Sequence, residues 1–113
     1  MLNQIDPQRF IGKPLRRRKT FAESINDYVV TIDGVVAGRI MEKRRADQKV
    51  VWYWTMSAPY YPFKAHHGEE ETYEAARDAF KNLFGEWHNW ALKQTGFATW
   101  YGADESLEGA VGL

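Results

Sequence analysis

Between Thr72 and Gly96 apolar residues return every three or four positions: Tyr73, Ala76, Phe80, Leu83, Phe84, Trp87, Trp90 and Ala91. That period places their side chains on one face of a helix. No other stretch of the chain has so long a helical period. The stripe is mostly aromatic, so the remainder of the chain must supply a surface that covers it. Thr72 is suited to the N-cap, with Glu69, Glu70, Glu71 and Glu74 near the positive end of the helix dipole. Gly96, after Lys93, is suited to the position just past the C-terminus. Gly85 breaks the pattern, because a mid-helix glycine costs about 0.5–1 kcal/mol against alanine. It marks either a close approach to a sheet or a kink into a second short helix over 86–95.

The covering surface lies upstream. Tyr28-Val29-Val30-Thr31-Ile32 is β-branched and aromatic, Asp33-Gly34 suits a type I′ turn, and Val35 to Met41 returns. Gly38 within the returning strand suggests a bulge, or a ring lying against the backbone. Residues 42–49 are polar and form an exposed turn. Val50 to Ser57 is a third strand in which Trp52, Trp54 and Met56 alternate with Val51, Tyr53 and Thr55. The set turned away from the helix includes Val51 and Tyr53, an apolar patch and a partner or dimer contact if nothing covers it.

The fold class that follows is α+β: a three-stranded antiparallel meander over about 27–33, 35–43 and 49–57, with one long helix over 72–95 on one face. An added edge strand around 15–24 or 97–101 would extend it. The expected core is Tyr28, Val30, Ile32, Val36, Ile40, Trp52, Trp54, Ala76, Phe80, Leu83, Phe84 and Trp87, and a one-residue slip would turn over any strand's set. In 113 residues there is room for one domain over 25–101, preceded by a basic arm over 1–24 and followed by a mobile tail over 102–113.

Charge is uneven along the chain. Residues 1–50 hold eleven Lys/Arg against six Asp/Glu, and residues 51–113 hold four against nine, so the halves carry +5 and −5. Arg16, Arg17, Arg18 and Lys19 are consecutive, and Arg44 and Arg45 lie in the 43–49 turn with Lys43 and Lys49. These segments suit phosphate contacts, but also a solvated edge strand whose charges discourage edge-to-edge pairing. The connection from 58 to 71 holds Tyr60, Tyr61 and Phe63, more rings than a bridge needs. They form either a lid on the sheet or a binding loop.

A hairpin ending in Gly38-Arg39-Ile40, the Trp52-Tyr53-Trp54 strand, a glycine-containing loop, and the run from Thr72 to Phe80 with Trp87 beyond it form a recognisable set. It resembles a group of small uncharacterised bacterial proteins common in alphaproteobacteria. The likeness spans roughly residues 27–91. It implies a compact strand-strand-strand-helix domain and no particular activity.

Catalytic and metal motifs are missing from the sequence. With no cysteine there is no disulfide, thiolate ligand or thiol nucleophile. His66 and His67 are adjacent and point apart, and neither begins a ligand-spaced motif. Ser24, Ser57 and Ser106 lie outside any nucleophile elbow, and the glycines do not form a phosphate loop. No apolar run is long enough for a signal peptide or a membrane span. The expectation is a soluble cytoplasmic protein with no enzyme activity, cofactor, metal or membrane partner. It would act as a protein-interaction module, meaning an adaptor, an inhibitor or a self-associating homodimer. Nucleic-acid binding through the basic arm and the 43–49 turn is the alternative. The candidate binding residues are Tyr60, Tyr61, Phe63, Trp90, Arg16, Arg17, Arg18, Lys19, Arg44 and Arg45.

Overall fold

The computed structural model describes residues 3–58, 61–94, 100–102 and 109–113. The fold is α+β. Six antiparallel strands form one sheet and a long helix packs across one of its faces. In chain order the elements are β1 (Asn3–Ile5), a 3-10 turn (Pro7–Phe10), β2 (Leu15–Lys19), β3 (Asp27–Ile32), β4 (Val35–Arg44), β5 (Val50–Met56), β6 (His67–Glu70), α1 (Tyr73–Leu92), β7 (Trp100–Gly102) and β8 (Val111–Gly112). The sheet order is β6-β5-β4-β3-β2-β8, and β1 and β7 pair separately.

The expected meander β3-β4-β5 is the centre of this sheet and is only half of it. The basic segment is a full strand, with Leu15 opposite Ile32 and Lys19 opposite Tyr28. The second half of the 58–71 connection is also a strand, β6, with Gly68 opposite Trp54. At the far edge, Val111 and Gly112 pair with Arg17 and Arg16, so the end of the chain, read as a tail, supplies β8. Of the stretch read as a strand over 97–101, Trp100 and Tyr101 are paired, but with β1 and outside the main sheet. Residues 97–99 lie outside the described residues.

The β3–β4 turn forms as its residues dictate. Ile32 pairs with Val35, and Asp33 and Gly34 take φ of 49° and 77°, the positive values a type I′ turn needs. The register then slips: Val30 pairs with Gly38 but Thr31 pairs with Val36, leaving Ala37 as the extra residue of a bulge. The slip changes which β4 side chains face the helix. Val35 and Ala37 are buried and Val36, expected in the core, is only half-buried. Tyr28 and Trp52 are also half-buried, at the margin under Tyr73.

The core lies between sheet and helix. Phe80 meets Trp54 edge to face at 6.4 Å and stacks on Phe84 at 6.3 Å. Gly38 makes room for this, since a Cβ there would fall against the Phe80 ring and the Thr55 carbonyl oxygen. Phe10, on the 3-10 turn, caps one end of the core against Phe84 at 6.1 Å. At the other end Tyr73 packs on Tyr28 and Trp52, with the Arg17 guanidinium 4.3 Å and 4.6 Å from the Tyr28 and Tyr73 rings. Helix α1 starts as read, with the Thr72 hydroxyl accepting from the Ala75 amide at 3.1 Å. It runs through Gly85 without a break and ends at Leu92 rather than at 95. Gly96 lies outside the described residues.

Candidate functional site

Three of the rings singled out in the sequence meet on the surface. Tyr61 and Phe63 come from the segment between β5 and β6, and Trp90 from the last turns of α1. Ring centroids are 5.3 Å apart for Tyr61–Phe63, 5.5 Å for Tyr61–Trp90 and 6.4 Å for Phe63–Trp90, all edge to face. This is the preferred geometry of aromatic pairs. Tyr61 and Trp90 are half-buried and rest on the core, whereas Phe63 is 66% exposed. The segment is therefore a lid through Tyr61, and it presents an exposed ring through Phe63. Lys64 ties it to the helix by an ion pair to Glu86 at 2.9 Å, and Glu86 holds the Lys64 ammonium above its ordinary range. His66 flanks Tyr61 at 6.5 Å. Tyr60 lies outside the described residues.

The basic residues are not gathered in the same way. Side chains along a strand alternate between faces, so Arg17 and Lys19 point to the helix side of the sheet and Arg16 and Arg18 to the other. Arg17 is engaged by the two tyrosine rings, and burial raises the Tyr73 hydroxyl above its ordinary range although Arg17 and Arg77 pull it down. Arg44 and Arg45 sit at the tip of the β4–β5 hairpin, where Arg44 donates to the Gln48 carbonyl oxygen at 3.1 Å. Strand β3 separates β2 from β4. On the path between the two basic segments lie Asp27, paired with Arg39, and Glu42, which accepts from Asn26 at 3.1 Å.

On the sheet face away from α1, the two apolar residues expected there are covered in different ways. Val51 is buried, and Tyr53 is stacked on His67 at 6.3 Å with the Lys43 ammonium 5.6 Å from its ring. Lys43 also reaches Glu69 at 3.9 Å. Beside them Arg39 binds Asp27 through two bonds of 2.9 Å and 2.6 Å, and the Thr20 hydroxyl donates to the same carboxylate at 2.7 Å. Arg39 thereby holds the Asp27 carboxyl below the ordinary carboxylate range, against the opposing effect of burial. The part of this ladder that sequence reading missed is His67, because its strand carries no β pattern. Gly68 was the available signal: a Cβ there would lie 2.8 Å from the Trp54 Nε1, so the glycine lets the indole lie across β6.

Among the described residues no group of three His, Asp or Glu is placed to hold a metal ion. His66, His67 and His88 lie against Tyr61, Tyr53 and Phe84 respectively. No helix among the described residues is long and apolar enough to cross a membrane. The chain matches no protein-family model, no curated protein and no solved structure.

Proposed function

We propose that this chain is a non-enzymatic protein-interaction module whose contact centre is the Tyr61, Phe63 and Trp90 surface. The observation that carries the reading is Phe63, an aromatic ring 66% exposed on a platform of two other rings. Aromatic side chains of this kind dominate the centres of protein interfaces. Two features pre-organise it. Trp90 is carried by a continuous helix, and the Lys64–Glu86 pair holds the loop beside that helix. A rigid anchor loses little side-chain freedom on binding. The occupant is a protein surface with an apolar recess for Phe63, either in a partner or in a second copy of this chain.

Phe63→Ala tests the reading. Stability is expected to change by no more than about 0.5 kcal/mol, as for other exposed positions. Binding is expected to weaken by about 2 kcal/mol or more, roughly thirtyfold. Sedimentation equilibrium reads self-association, and capture from host lysate by wild-type and Phe63→Ala chains reads a heterologous partner. A monomeric wild type that captures the same proteins as the variant would remove the reading. The alternative is nucleic-acid binding. In its favour, Arg16 and Arg45 are exposed and have no acidic partner among the described residues. Against it stands the division of the Arg16–Lys19 run between two faces.

A further inference from the structure

A cavity of about 430 Å³ opens on the opposite side of α1 from Phe63, between the helix and the segment that links the 3-10 turn to β2. This is within the usual range for small-molecule sites. Its inner wall is apolar: Phe10 packs on Phe84 at 6.1 Å, and Leu15 and Ile32 are a cross-strand pair. Its rim is cationic. Lys13 and Lys81 both line it, from the loop and from the helix. Asp78, the acid nearest Lys81 along the helix, is bonded to Arg77 at 3.0 Å, and no described acid pairs with Lys81. Lys13 is 4.0 Å from Asp33, whose carboxylate is already held by Arg9 at 2.7 Å. His88 forms a further wall and is fixed there, its Nε2 donating to the Pro7 carbonyl oxygen at 2.7 Å.

Gly85 is the independent observation. It lines this cavity, and a Cβ on it would meet nothing within 4 Å. Packing against the sheet does not require a glycine there, and the helix is unbroken through it. The absent side chain leaves the exposed flank of the helix open beside the cavity. We propose that this cavity is a binding site for a small organic carboxylate with an apolar body. The body would lie on Phe10, Phe84 and Leu15 over Gly85, and the carboxylate would sit between Lys13 and Lys81. The site is separate from the Phe63 surface and does not depend on what that surface does.

Octanoate is a suitable probe, with octanol and octylamine as matched neutral and cationic controls. In a ¹⁵N-labelled sample, octanoate is expected to shift the Gly12 and Gly85 amides saturably and to leave Phe63 and Lys64 unmoved. Octylamine is expected to produce no saturable shift. Lys81→Ala should weaken octanoate by about tenfold, the scale of one hydrogen bond to a charged group. Gly85→Leu should abolish the shifts by filling the mouth. Gly85→Ala guards against misfolding as the cause: its melting temperature should rise while octanoate binds more weakly. No shift at Gly12 and Gly85 up to about 10 mM octanoate overturns the proposal, since that excludes even millimolar affinity. Equal binding of octanol and octanoate, unchanged by Lys81→Ala, overturns the assignment to an anion.

Discussion

At Gly38 a hydrogen in place of a side chain decides how the helix meets the sheet. The Thr55 carbonyl oxygen and the Phe80 ring both lie where a Cβ would be. The oxygen belongs to a paired strand and cannot turn aside, so Gly38→Ala forces β4 and β5 apart or drives Phe80 out of its stack on Phe84. The expected cost is about 1–3 kcal/mol, as for other overpacked cores. Urea unfolding should show it as a lower midpoint with an unchanged slope. Asp27 offers a test that depends on pH. Its folded carboxyl is held below the ordinary range by the hydrogen bond from Arg39, so its contribution is fully present above the unfolded value, near 3.9. That contribution is lost as pH falls through the lower folded value. Arg39 is 41% exposed, which screens the pair and limits its worth to about 1 kcal/mol or less. Asp27→Asn should therefore be less stable than wild type at pH 7, with the difference closing in acid. A gap that stays constant from about pH 7 down to pH 2 would mean the Arg39 pairing does not stabilise the fold.

At the scale of elements, α1 was legible because its buried residues obey one period and its N-cap is a threonine in the right place. Gly85 is the weak point of that helix. With open space around its missing Cβ, Gly85→Ala should gain about 0.5–1 kcal/mol, raising the melting temperature by a few degrees. A loss on substitution would mean that the backbone at this turn needs freedom that a regular helix does not. The β3–β4 hairpin was legible for an equally local reason, since Asp33 and Gly34 tolerate the backbone angles the turn demands. The edge strands were not legible. His67–Glu70 has no β-branched residue and only one ring, and it is a strand because β5 beside it has backbone groups to pair and Gly68 admits the Trp54 indole. Val111–Gly112 is too short to carry any pattern. The bulge at Ala37 was signalled by Gly38, but its consequence for Val36 depends on the register of β3, which no single strand encodes. Tyr61 and Phe63 were legible as more rings than a connection needs, and Trp90 as a ring on the helical stripe. Their meeting was not, because it depends on how far the loop folds back along α1.

At the scale of the molecule, the sequence's split into a +5 half and a −5 half is partly undone by folding. Lys43 meets Glu69 and Lys49 meets Glu71, each pair joining the basic half to the acidic one. Both pairs lie at the β4–β5 hairpin, so the cations of the 43–49 turn sit beside the acids before α1. The remaining basic feature, β2, has its charges divided by strand alternation. A nucleic-acid strand laid along either face would meet two of the four cations, and on the helix side Arg17 is already held over Tyr28 and Tyr73. Two phosphate contacts release too few counterions to sustain binding at moderate salt. A fluorescent single-stranded oligonucleotide is therefore expected to show no rise in anisotropy with this protein at about 50 mM salt. A rise that disappears by about 200 mM, and that Arg16→Ala with Arg18→Ala removes, would move the functional surface from Phe63 to the outer face of β2. The same titration with Phe63→Ala separates the two surfaces, because that substitution leaves every cation in place.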